Sequence, residues 1–100
     1  MTKACAIQII KELAMDDMNW RSDYLTWHDK KQLLAQRSYE QWALDELVRW
    51  LKKSKKNPID ATEEFCKRMD DYACMSGNIM FSIAYDAGLY ALDTLLMETT

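Results

Sequence analysis

The chain has 100 residues, the size of one domain, and 49% of them are apolar, enough for a modest core without disulfides or metals. Two glycines and one proline are too few for the many turns of an all-β fold, so the composition predicts helices. A net charge of −3 disfavours a dedicated nucleic-acid binder.

The first predicted helix spans about 3–17, and Thr2 is a suitable N-cap for it. Its apolar residues follow the spacing of three and four that places them on one helical face: Ala6, Ile9, Ile10, Leu13 and Ala14. A short aromatic-faced helix at about 20–27 is expected next. It is predicted because three aromatic residues stand at i, i+4 and i+7, namely Trp20, Tyr24 and Trp27.

Neither proline nor glycine interrupts residues 29–56, whose broad apolar stripe fits one long helix or two consecutive helices. Ser38 with Gln41 resembles a capping box, and we therefore favour a break near Ser38. The segment ends in a cluster of cations: Arg49, Lys52, Lys53, Lys55 and Lys56. Cations suit a helix C-terminus, and Trp50 among them is expected to turn into the core.

Asn57 and Pro58 give the clearest boundary in the chain, because Asn is a good N-cap and Pro fits the first helical position. A helix is predicted from 58 to about 75. Its predicted core face consists of Phe65, Met69, Tyr72 and Ala73. The short connection 76–78 then forces this helix into an antiparallel hairpin with a last helix at 78–98.

The last helix is the most apolar part of the chain, since 14 of the 19 residues in 79–97 are apolar. It is long enough to cross a membrane, but Asp86 and Asp93 would each cost roughly 2.5 to 3.5 kcal/mol there. We therefore interpret it as a nearly engulfed core helix with no membrane contact. Its small residues predict a groove for a closely packed neighbour: Ala84, Ala87, Gly88 and Ala91.

These elements predict an all-α fold, in which residues 1–100 form a single-domain bundle of four to five helices around the central apolar C-terminal helix. The charge is distributed unevenly within this bundle. Residues 49–56 carry +5, whereas residues 69–100 carry −5 and contain no lysine or arginine.

Three cysteines and the single His28 give no sign of catalysis or metal binding. Cys5, Cys66 and Cys74 form no close ligand pair and lie far from His28 in sequence, so no metal or cofactor is expected. The chain has no nucleophile at motif spacing from His28 and no phosphate-binding glycine loop, so we expect no enzymatic activity. An odd cysteine count favours a cytoplasmic location. We interpret Cys66 and Cys74 as small buried hydrophobic residues.

Abundant aromatic and methionine residues favour a protein partner. Trp20, Trp27 and Trp42 are the tryptophans expected to remain partly exposed, and a role in the core explains them equally well. An acidic surface that imitates nucleic acid would complete such an interface. Its candidate carboxylates are Asp16, Asp17, Asp23, Glu63, Glu64, Asp70 and Asp71. A solvated charged surface is the ordinary explanation for them. We interpret Asp86 and Asp93 as the wet edge of the last helix rather than as a paired-carboxylate active site.

Four short motifs fall in the second half of the chain: Pro58-Ile59-Asp60, Glu63-Glu64-Phe65, Met69-Asp70-Asp71-Tyr72 and Phe81-Ser82-Ile83-Ala84-Tyr85-Asp86. Residues 58–100, about two fifths of the chain, resemble uncharacterised small α-helical proteins of Firmicutes phages and conjugative elements. That family has no assigned catalytic residues, so the resemblance implies no site. It implies an accessory protein that binds host machinery, such as an anti-CRISPR-like inhibitor of a host nuclease or defence complex.

Two other functions remain open at this point. The basic segment 49–56 would suit a small nucleic-acid-associated regulator, because clustered cations neutralise phosphates. Alternatively, the excess of aromatic surface would be buried in a self-associating structural subunit, most simply a homodimer.

Overall fold

A computed structural model describes the backbone of residues 1–24 and 27–99 and the side chains of residues 1–13 and 38–99. This part of the chain forms four helices and contains no strand: α1 (Lys3–Tyr24), α2 (Trp27–Lys53), α3 (Pro58–Ser76) and α4 (Ile79–Glu98). The helices pack as an all-α bundle, which confirms the predicted fold class. The C-terminal helix α4 contacts each of the other three, as α2 also does.

Helix α1 begins at the predicted cap, where the Thr2 hydroxyl accepts a hydrogen bond from the Cys5 amide at 3.1 Å. Ala6 and Ile10 are fully buried on its core face. The helix continues to Tyr24, past the predicted end at 17, because no proline or glycine stops it. A separate aromatic helix at 20–27 is therefore wrong: its first residues end α1, its last begins α2, and positions 25 and 26 lie outside the described residues.

Helix α2 is one uninterrupted helix, so the predicted break near Ser38 is wrong. A capping box needs non-helical backbone at its first residue, whereas this segment has no helix breaker to impose it. Packing along the whole C-terminal half favours continuity, because Ala43, Leu47 and Leu51 recur at spacings of four and are all fully or almost fully buried.

Helices α3 and α4 form the predicted antiparallel hairpin. The Asn57 side chain accepts from the Asp60 amide at 2.9 Å and caps α3, and Gly77 ends it in the left-handed conformation with φ 65°. The rings of Tyr72 and Phe81 lie 5.4 Å apart near the connection. Seven residues further from the connection along both helices, Phe65 faces Gly88, which is the pairing of antiparallel helices.

The core face of α3 differs in part from the predicted one. Phe65 and Met69 are buried as predicted, but Tyr72 is 40% exposed and Ala73 only half-buried. The buried set lies nearer the start of the helix and consists of Pro58, Ala61, Thr62, Phe65, Cys66 and Met69. Tyr72 packs against Phe81 from the solvent side. It lies one turn before the end of α3, where no other described helix covers it.

The interpretation of α4 as an engulfed helix is wrong, although its close packing is confirmed. Only Ala84, Gly88, Ala91 and Leu95 are buried, and they form one stripe. A Cβ added to Gly88 would lie 2.8 Å from the Cys66 Sγ atom, so α3 and α4 approach as closely as the small residues predicted. Three neighbouring helices on one side of α4 leave its other side uncovered. By length and composition alone α4 could cross a membrane, and 22% of the apolar window is buried within the bundle.

Candidate partner-binding face

The uncovered side of α4 displays large apolar side chains. Ile79, Leu89, Tyr90, Leu96 and Met97 are between 36% and 76% exposed. We call this side the outer face of α4 and define it by nine residues: Ile79, Ser82, Ile83, Asp86, Leu89, Tyr90, Asp93, Leu96 and Met97. Several large apolar side chains exposed on one side of a helix are typical of interaction sites rather than of a solvated helix.

The outer face repeats every seven residues, which is nearly two turns of helix. Three parallel columns result: Ile79, Asp86 and Asp93; Ser82, Leu89 and Leu96; Ile83, Tyr90 and Met97. The aspartates form the middle column, and apolar side chains flank them on both sides. The predicted wet edge of α4 therefore exists, but it runs through apolar surface rather than beside it.

Asp86 and Asp93 are both exposed. Among the side chains that the structure describes, neither forms an ion pair. Their seven-residue separation corresponds to about 10.5 Å along the axis, too far for two carboxylates to share a proton. The pair therefore places two separate carboxylates within apolar surroundings.

The predicted partner-binding residues whose side chains the structure describes lie on α2 and α3, outside the outer face of α4. Trp42 is half-buried and packs edge-to-face on Phe81, with 6.2 Å between ring centroids, so much of its area already serves the core. The acidic candidates on α3 are solvated: Glu63, Asp70 and Asp71 are exposed, and Glu64 is half-buried. The remaining candidates have side chains outside the described residues: Asp16, Asp17, Trp20, Asp23 and Trp27.

Some residues of the basic segment 49–56 already form ion pairs or hydrogen bonds within the bundle. Arg49 pairs with Glu46, and the Lys3 ammonium donates to the Ser54 carbonyl. The Lys56 ammonium lies 2.7 Å from a Glu64 carboxylate oxygen, and this hydrogen bond raises the pKa of Lys56 and lowers the pKa of Glu64. Lys56 is exposed and Glu64 is only half-buried, so the pair contributes little to stability.

Trp50 faces inward as predicted, so it offers no free ring for stacking on a base. Its ring lies edge-to-face on Phe65 at 6.2 Å, and the Arg68 guanidinium covers it at 5.3 Å from the centroid. The Trp50 indole N–H is buried and has no acceptor among the described groups. The exposed cations left in this segment are Lys52, Lys53 and Lys55, which form no ion pair with any side chain described.

The cysteines differ from one another in exposure. Cys66 is buried as predicted, whereas Cys74 is exposed, because it lies on the solvent side of α3 beyond the buried stripe. Burial raises the pKa of the Cys66 thiol to about 11, so this group is protonated at neutral pH and is a poor nucleophile. Across side chains 1–13 and 38–99, no group of three or more histidine, cysteine or acidic residues is arranged to hold a metal ion.

Sequence reasoning missed the apolar part of the outer face, although a signal for it existed. The polar residues Ser82, Asp86 and Asp93 already marked the solvent side of α4, and large apolar residues adjoin them in the same seven-residue repeat. Comparisons with protein-family models, with curated proteins and with solved structures found no match to this chain. Function is therefore argued from the geometry of the outer face.

Proposed function

We propose that this protein is a non-enzymatic protein-binding protein, which acts by occupying a partner's surface through the outer face of α4. One observation carries the proposal: α4, which packs against the other three helices along one side, leaves five large apolar side chains exposed on the other. A monomeric domain normally covers such a surface, and a patch that stays open marks an interface.

The shape of the surface supports recognition rather than catalysis. The outer face is one side of a regular helix, with its nine side chains spread over nearly the full length of α4. Tyr90 supplies the type of anchor that dominates binding energy at interfaces, with its aliphatic neighbours completing the apolar area. The resemblance to proteins of mobile elements sets the expected partner, a host nuclease or defence complex that this protein would inhibit in the cytoplasm.

The experiment uses the full chain with an affinity tag and lysate of the host cell. Wild type is expected to capture one dominant protein, and Tyr90→Lys is expected to reduce its recovery at least tenfold by placing a charge in the interface. Tyr39→Lys is the matched control, since Tyr39 is 37% exposed on α2, outside the outer face. Equal recovery with wild type and Tyr90→Lys, or no recovery with any chain, would contradict the proposal.

A second candidate function, nucleic-acid binding, rests on the exposed Lys52, Lys53 and Lys55. Counterion release predicts a gel shift that weakens steeply between low and moderate salt, and that the triple substitution of these lysines to glutamine abolishes. No shift at low salt would eliminate this function. The inward position of Trp50 and the excess of acidic residues make it the weaker candidate.

A further inference from the structure

We propose that the partner seated on the outer face of α4 is a cationic amphipathic helix, with lysine or arginine side chains placed against Asp86 and Asp93. This inference rests on the proposed function and specifies the partner's chemistry.

The elongated shape of the outer face suits a helical partner. An apolar column of Leu89 and Leu96 and a second column containing Tyr90 run along the 20-residue helix α4, on either side of the two aspartates. A second helix laid along α4 can contact both columns, because the side chains of one helix fill the gaps between those of the other.

The charge of the outer face defines what the partner helix must carry. Asp86 and Asp93 lie between the apolar columns, so docking removes both carboxylates from much of the surrounding water. An unpaired charge in such a position is costly, whereas a facing cation offsets the loss of hydration. The two carboxylates are seven residues apart, which predicts two partner cations also seven residues apart. Residues 69–100, which include all of α4, contain no lysine or arginine, and Arg68 of α3 covers Trp50.

A second copy of this chain fits the surface less well. Two outer faces packed together would bring four aspartates into one interface, where like charges repel. The chain's own basic segment 49–56 supplies cations, but its large apolar residues Trp50 and Leu51 are already packed in the core. Anionic lipid is disfavoured as well, since the outer face presents only negative charge.

The test measures binding of three synthetic peptides to the full chain by fluorescence anisotropy. The first is a 21-residue amphipathic helix built from leucine and lysine, the second replaces each lysine with glutamate, and the third scrambles the first so that no apolar face forms. The lysine helix is expected to bind at least tenfold more tightly than either of the others. Equal binding of the scrambled peptide would show attraction to net charge alone and would overturn the inference.

Two double variants assign the preference to the outer face. Asp86→Asn with Asp93→Asn is expected to remove the preference for lysine, while Asp70→Asn with Asp71→Asn removes the same charge from α3 and is expected to keep it. Asp86→Lys with Asp93→Lys is expected to reverse the preference towards the glutamate helix. If the α3 variant and the outer-face variant lose the preference equally, the inference is wrong.

Two further measurements test the alternative occupants of the outer face, which are a second copy of this chain and a lipid membrane. Light scattering that shows a dimer in wild type and a monomer in Tyr90→Lys would assign the face to a second copy. Sedimentation with vesicles of phosphatidylcholine, by wild type but not by a Leu89→Asp, Leu96→Asp variant, would assign it to lipid. Either result overturns the inference, and a monomer that does not sediment supports it.

The lysate experiment separates failure of this inference from failure of the proposed function. If Tyr90→Lys abolishes capture of the cellular partner but Asp86→Asn with Asp93→Asn leaves it unchanged, the protein binds through α4 without a cationic helix. If neither variant affects capture, both proposals fail.

Discussion

The two sides of α4 are both rich in apolar residues, yet one is core and the other is exposed. The buried side is built mainly from small residues, Ala84, Gly88 and Ala91, with Leu95 beyond them. The outer side carries larger ones such as Leu89 and Tyr90. Close approach of α3 requires small side chains, because a helix backbone cannot come near a row of leucines. Side-chain size, rather than hydrophobicity, thus separates the packed side of this helix from the open side.

The largest expected effect contrasts two adjacent leucines. Leu95 is fully buried and Leu96 is 41% exposed. Leu95→Ala should lower the free energy of unfolding by about 2 to 5 kcal/mol, because it removes core contacts and leaves a cavity. Leu96→Ala should lower it by less than about 1 kcal/mol. Urea unfolding followed by circular dichroism measures both, and equal losses would show that α4 is covered on both sides.

Gly88 tests the closeness of the α3 contact. Gly88→Leu should destabilise by about 1 to 3 kcal/mol, since even its Cβ would lie 2.8 Å from the Cys66 Sγ atom and 3.2 Å from the Phe65 ring. For a chain of this length the melting temperature should fall by roughly 4 to 8 °C per kcal/mol. Gly88→Ala is the milder control and should fall between wild type and Gly88→Leu. An unchanged melting temperature for Gly88→Leu would refute the close approach.

Helix α3 also has a buried and an exposed side, and the thiols of Cys66 and Cys74 distinguish them. In the native protein Cys74 and Cys5 should react readily with a thiol reagent, while Cys66 should react only after unfolding. The raised pKa of Cys66, about 11 against an ordinary value near 9, favours its protonated form in the folded state. This contribution to stability is complete below pH 9 and declines as the pH rises from 9 through 11.

The Cys66→Ala variant isolates this pH effect, because it removes the thiol but keeps a small apolar side chain. Its free energy of unfolding should change less steeply than that of wild type between pH 9 and 11. Parallel curves for the two chains, or rapid labelling of Cys66 in native protein, would contradict the burial of this thiol against Gly88.

The smallest effect on stability is expected at the aspartates of the outer face. Asp86→Asn with Asp93→Asn should change the free energy of unfolding by about 0.5 kcal/mol or less, since both side chains are exposed. Thermal melting measures this change, and Leu96→Ala provides a neighbouring reference. A loss comparable to that of Leu95→Ala would mean that these carboxylates hold the bundle together and are not available to a partner.

Local sequence signals determined most of the helical architecture. The cap at Asn57 and Pro58, the connection at Gly77 and the small residues around Gly88 each act through chemistry within a few positions. They were sufficient to predict α3, α4 and their antiparallel pairing. The first helix was predicted too short and α2 was divided near Ser38, because residues 1–57 contain no glycine or proline and a capping pattern does not by itself stop a helix.

Only the tertiary structure decided which apolar residues are buried. The sequence of 79–97 is apolar almost throughout, and composition alone suggested that the bundle surrounds it. Burial depends on how many neighbours a helix has, and here three helices cover one side of α4 and leave Tyr90 and Leu96 open. Tyr72 and Cys74 on α3 were also predicted to be buried from their apolar character, but both are exposed because the neighbouring helices do not cover them.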